Sequence, residues 1–111
     1  MTRSVIALAA AGALLAGGCG SSSTATRRHG PVLTTTQARG KTLFRAECAS
    51  CHELADAGAK GIVGKNLDTT RPSAAVVLRT LAVPPKNMPA NLVSGADARA
   101  VAAYVAAVAG R

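Results

Sequence analysis

The sequence has no tryptophan, one phenylalanine and one tyrosine among 111 residues. A surface that grips nucleic acid needs stacking faces, and Phe44 and Tyr104 alone cannot supply them. Acidic residues are also scarce: five Asp/Glu face thirteen Lys/Arg, a formal charge of +8. An excess of that size suits anionic lipid or an acidic protein partner. No apolar run reaches the roughly 20 residues that a membrane-crossing helix requires. No stretch alternates as a strand does, so a β fold is not expected. Cysteine is present three times, an odd number that leaves one thiol over if the other two pair.

What is present begins with a basic start at Arg3 and an unbroken apolar run over residues 5–16. Small residues follow at once, so the segment reads as an export signal. It ends in Leu15-Ala16-Gly17-Gly18-Cys19. That ending resembles the lipobox of bacterial lipoproteins, although Ala16 stands where Leu is commoner. The resemblance implies that residues 1–18 are removed and that Cys19 carries a diacyl anchor. Two acyl chains suffice for stable membrane attachment. The chain is therefore expected outside the cytoplasm, in the periplasm or its equivalent. Residues 19–33 are small, polar and Gly/Pro-punctuated, which predicts a flexible tether reaching roughly 20 Å.

Residues 34–111 form the expected folded domain, with ten Lys/Arg against five Asp/Glu. Three helices are expected. The first starts near Thr35 or Thr36 and runs to about Ala49, with Gly40, Leu43, Phe44 and Cys48 on one face. The second follows Pro72, which suits a first helical turn, presents Val76, Val77 and Leu81, and stops before Pro84-Pro85. The third begins at a capping-box-like Ser94-Gly95-Ala96-Asp97. It carries Val101, Tyr104, Val105 and Val108 on one face and ends at Gly110. An all-helical domain this small, with two aromatics, needs a staple to be stable. A buried macrocycle would contribute about 10 kcal/mol as an upper figure.

Cys48-Ala49-Ser50-Cys51-His52 has the C-x-x-C-H spacing of a covalent haem-attachment site. Two thiols three residues apart at a helix end can reach both vinyl groups on one haem edge, and the next residue lies under the iron. Other chemistries share these residue types. Zinc requires four ligands and there is no second Cys pair. A redox dithiol requires a βαβ setting. A copper site built from Cys, His and Met remains open. For a second axial ligand, the other His is His29, in the tether, and the other Met besides Met1 is Met88. Met88 sits in Pro84-Pro85-Lys86-Asn87-Met88-Pro89, where the following proline stiffens the backbone.

Together these residues resemble a class I c-type cytochrome. The resemblance covers residues 37–108. It rests on Gly40-Lys41-Thr42-Leu43-Phe44, the C-x-x-C-H motif, Gly64-Lys65-Asn66-Leu67, Asn87-Met88-Pro89 and Ala103-Tyr104-Val105. It implies a small all-α fold of about three main helices around one haem c. Cys48 and Cys51 would form the thioethers, and His52 and Met88 the axial ligands. Gly40 would let the first and last helices cross closely beside Phe44 and Tyr104, and Asn91 matches a residue that in some members hydrogen-bonds the Met sulfur. The family usually has Pro where Lys65 stands; the carbonyl there accepts a hydrogen bond from the proximal His. With both axial positions filled, no small-molecule substrate would meet the metal. The implied function is one-electron transfer between redox proteins, with an acidic partner favoured by Lys60, Lys65 and Lys86. Alternatives are a cytochrome subunit of an exported dehydrogenase or oxidase, and a copper-binding or haem-sensor protein.

Overall fold

The computed structural model describes residues 30–111. The export signal, Cys19 and most of the tether lie outside these residues. Helix α1 spans Thr35–Glu47, with Thr34 rather than Thr35 or Thr36 as its N-cap. The reason is reciprocal bonding. The Thr34 hydroxyl accepts from the Gln37 backbone N–H at 3.2 Å, and the Gln37 side chain accepts from the Thr34 N–H at 2.9 Å. Leu33, the last tether residue, packs against the core.

After the Cys48–His52 turn come two short strands, β1 (Glu53–Leu54) and β2 (Ala59–Lys60). They pair antiparallel, Glu53 opposite Lys60 and Leu54 opposite Ala59, around a 3-10 turn at Ala55–Ala57. Strands of two residues are too short to leave a periodic signature, so they escape a pattern search. Helix α2 is a single turn, Leu67–Thr70, capped by the Asn66 side chain on Thr69 N–H at 3.0 Å. Helix α3 spans Ala74–Ala82. Its N-cap is Ser73, so Pro72 lies outside the helix rather than in its first turn. The side chain of Ser73 accepts from Val76 N–H, a bond that Pro72 cannot offer. Helix α4 spans Gly95–Val108 behind Ser94, but the Ser94 side chain makes no capping bond. Asp97 instead pairs with Arg39 on α1.

The fold is mostly helical, as the pattern predicts. Its centre is the α1–α4 crossing. A side chain at Gly40 would strike the Ala100 carbonyl and the Tyr104 Cβ, so the two backbones pass in contact there. Beside the crossing, Phe44 and Tyr104 meet edge to face at 6.0 Å between ring centroids, worth about 0.5–1.5 kcal/mol beyond area burial. Phe44, Leu54, Val101, Tyr104, Val105 and Val108 are fully buried. Helix α3 packs on α4 but buries none of its own residues completely.

Candidate functional site

The turn after α1 holds Cys48, Cys51 and His52 in one local unit. The Cys51 and His52 N–H groups both donate to the Cys48 carbonyl, at 3.2 and 3.0 Å. Cys48 is buried and Cys51 half-buried, and both are free thiols. Burial pushes the Cys48 thiol up to about 11, with the Glu47 and Cys51 charges adding to it. This Cys is therefore a neutral thiol at pH 7.

His52 is oriented by backbone alone. Its Nδ1 lies 2.8 Å from the Lys65 carbonyl oxygen. In the tautomer where Nδ1 donates, Nε2 is left as a free lone pair, the arrangement common to metal-binding histidines. Gly64 lies against the imidazole, where an added Cβ would come within 2.5–2.9 Å of ring atoms. The Gly64 N–H also donates to the Cys51 carbonyl at 2.7 Å. Lys65 in place of the expected proline thus preserves the carbonyl contact. Gly61 is as tight, since a side chain there would meet the Cys51 and His52 backbone. Its role is readable afterwards in the Gly61-x-x-Gly64 spacing.

Met88 comes from a separate loop, after α3. Its N–H donates to the Pro85 carbonyl at 2.9 Å, closing a turn over residues 85–88, and the residue is half-buried. Asn91 is exposed and turns the chain with φ 60°. Between the motif and this loop lies α3, which carries Val76, Val77, Leu78 and Leu81 without burying any of them fully. A haem fits these residues. They offer two thiols at the correct spacing, an imidazole with one nitrogen held, a thioether on a stiff loop, and an apolar helix whose Val77, Leu78 and Leu81 the protein covers only in part. Zinc fits less well: among the described residues no three His, Cys, Asp or Glu side chains gather as a metal site.

Four of the five carboxylates, all but Glu47, bond to other residues of the fold. Asp56 accepts from the Tyr104 hydroxyl at 2.6 Å and pairs with Lys41 at 3.1 Å. Burial, then the Asp56 bond and charge, push the Tyr104 hydroxyl well above its ordinary range. Asp68 accepts from the Ala55 and Gly110 N–H groups at 2.7 and 2.8 Å, so it ties the hairpin to the end of α4. Glu53 accepts from Asn66 at 2.8 Å. Composition gives no sign of these tasks, because each joins residues distant in sequence. Among the described residues the ion pairs are Arg39–Asp97 and Lys41–Asp56, which leaves Lys60, Lys65 and Lys86 exposed and unpaired.

The sequence profile of the family described as cytochrome c oxidase, cbb3-type, subunit III matches residues 35–105. The chain is also similar to the crystal structure of the c-type cytochrome SorU from Sinorhizobium meliloti. The two are 41% identical with a TM-score of 0.64, over 68% of this chain and 93% of that one. No curated protein sequence matches.

Proposed function

The chain belongs to the small class I c-type cytochromes, haem-based electron-transfer proteins rather than enzymes, and from that premise we propose that it holds one haem c through Cys48, Cys51, His52 and Met88. Cys48 and Cys51 form the thioethers. His52 and Met88 are the axial ligands. The observation that carries this reading is the held imidazole: His52 sits on the same turn as both thiols, with Nδ1 on the Lys65 carbonyl and Gly64 against the ring. Bound there, the haem supplies one-electron chemistry at iron. The chain's own residues orient the imidazole, keep water from one side with α3, and present a thioether whose softness favours the reduced metal.

We further propose an exported protein anchored through lipidated Cys19, meeting redox partners with acidic docking surfaces. The short apolar run ending in Gly18-Cys19 supports the anchor, and the unpaired Lys60, Lys65 and Lys86 support the partner. Visible spectra of the oxidised and reduced protein test the site. Denaturation in pyridine should leave a haem that acid solvent cannot extract, with a thioether-type reduced band. Extractable haem, or copper without haem, would end the proposal.

A second reading, a cytochrome subunit of a larger oxidase or dehydrogenase, is favoured by the description of the matching profile. Gel filtration of detergent-solubilised membranes distinguishes the two by whether the haem runs near the mass of this chain or in a larger particle.

A further inference from the structure

Two stretches of the chain run side by side at a constant register. The Gly64 N–H donates to the Cys51 carbonyl at 2.7 Å, and His52 Nδ1 lies 2.8 Å from the Lys65 carbonyl oxygen. The Asn66 side-chain amide donates to the Glu53 carboxylate at 2.8 Å, and the Ala55 N–H donates to the Asp68 carboxylate at 2.7 Å. Each of these bonds joins residues thirteen apart in the chain. Residues 51–55 therefore pair in parallel with residues 64–68. The rungs are mixed: backbone to backbone, ring to backbone, side chain to side chain, and backbone to side chain. Backbone rungs can be supplied by almost any sequence, whereas these are closed by side chains that only certain residues carry.

The His52 rung is the second in this series. Its acceptor belongs to Lys65, a residue that does nothing to fix its own backbone, since only proline locks φ. The peptide is held instead from the Asn66 side. The Asn66 amide reaches Glu53, and its Oδ1 accepts from the Thr69 N–H at 3.0 Å. Its carbonyl accepts from the Thr70 N–H and hydroxyl at 3.1 and 3.0 Å. Glu53 directly follows His52. Lys60 stands opposite Glu53 in the β1–β2 ladder, yet the two make no ion pair among the described residues. The Glu53–Asn66 rung thus ties the residue after the imidazole to the residue after the imidazole's acceptor.

We propose that Glu53 and Asn66 are positioning residues for the axial imidazole: their side-chain bond holds the Lys65 carbonyl on His52 Nδ1 and so sets how strongly Nε2 donates to iron. The inference rests on the reading of His52 as a ligand. An imidazole whose N–H is held by an acceptor is a more basic ligand. A more basic ligand favours the oxidised metal, so the intact rung holds the reduction potential down and its loss lets the potential rise.

The test uses the full haem-loaded chain and two readouts. One is the reduction potential; the other is the rate at which the His52 Nδ1 proton exchanges with solvent, followed by NMR in the reduced protein. Glu53→Gln and Glu53→Ala remove the same charge, but only the first keeps an oxygen for the Asn66 amide. Glu53→Ala should therefore have the higher potential of the two and exchange the proton about fivefold faster, the worth of one ordinary hydrogen bond. Asn66→Ser breaks the rung from the other side without changing charge, and serine still caps α2. It should raise the potential and speed exchange to a similar extent. Adding Lys65→Pro to Asn66→Ser should restore slow exchange, because the ring supplies the lost stiffness, whereas adding Lys65→Gln should not. Equal potentials and equal exchange in the two Glu53 variants would overturn the inference. A lowered melting temperature alone would not save it, since that would make the rung a prop for the hairpin. A wild-type chain without thioether haem, or without His52 on the iron, would overturn the reading of the motif and the inference with it.

Discussion

The two halves of this domain are built to different completeness. Around the α1–α4 crossing, Phe44, Val101, Tyr104, Val105 and Val108 are fully buried by other protein atoms. Across the molecule, α3 and the loop bearing Met88 contain no fully buried residue, although α3 is rich in Val and Leu. The crossing is a core that the polypeptide closes on itself. The α3 side is an apolar wall that needs something else to lean on. Under the proposed ligation, stability and function are segregated: one half frames the site and the other completes it with the cofactor.

The largest test of that contrast is to prevent haem attachment. With Cys48→Ala and Cys51→Ala, the chain loses apolar burial of up to about 10 kcal/mol. Amide exchange at Val77, Leu78 and Leu81 should then become fast, while Val101, Tyr104 and Val105 retain at least about tenfold more protection. Equal exchange in both halves would erase the distinction. Next in size is Gly40→Val, which drives a side chain into backbone that cannot yield. A loss of about 3 kcal/mol or more is expected, enough to abolish a cooperative melt in a domain this small. Retention of wild-type melting would show that the crossing is looser than its contacts imply.

Met88→Ala acts on the other half alone. Haem should stay attached, the melting temperature should change little beside Gly40→Val, and the reduction potential should fall while cyanide gains access to the iron. An unchanged spectrum that excludes cyanide would remove Met88 from the ligand set. The smallest effect is expected at Tyr104→Phe. It removes a hydrogen bond to a carboxylate, about 1–3 kcal/mol, while Asp56 keeps Lys41 at 3.1 Å. Because the folded state holds Tyr104 protonated above its usual pKa near 10, the unfolded chain releases that proton first as pH rises. Wild-type stability should therefore decline above about pH 10, and thermal melts of the Phe variant should lose that part of the decline.

The α1–α4 half was largely legible in the sequence. Gly40 and Phe44 share one face of the first helix by spacing, and Val101, Tyr104, Val105 and Val108 one face of the last; that the two faces cross was what the family resemblance implied. The motif was legible for another reason: the C-x-x-C-H spacing by itself keeps Cys48, Cys51 and His52 within one turn. The connecting segments were not. Helix α2 lasts one turn and the strands two residues each, so neither completes a period. The Asn66 cap before Thr69 did leave a signal of the N-cap type. The double bond of Asp68 to Ala55 and Gly110 left none, since its partners are backbone groups that any residue could supply. Pro72 misled because a proline marks a helix start only to within a residue or two; Ser73 holds the cap itself.

The contact between His52 and residue 65 runs to a carbonyl and not to a side chain. Heredity can therefore rewrite position 65 freely without unseating the imidazole. A glutamate would leave the oxygen in place while reversing the charge beside it, and the family's usual proline would leave it in place while removing that charge. If redox partners dock beside this turn as proposed, one substitution at position 65 alters the charge they meet and leaves the hydrogen bond to the imidazole intact.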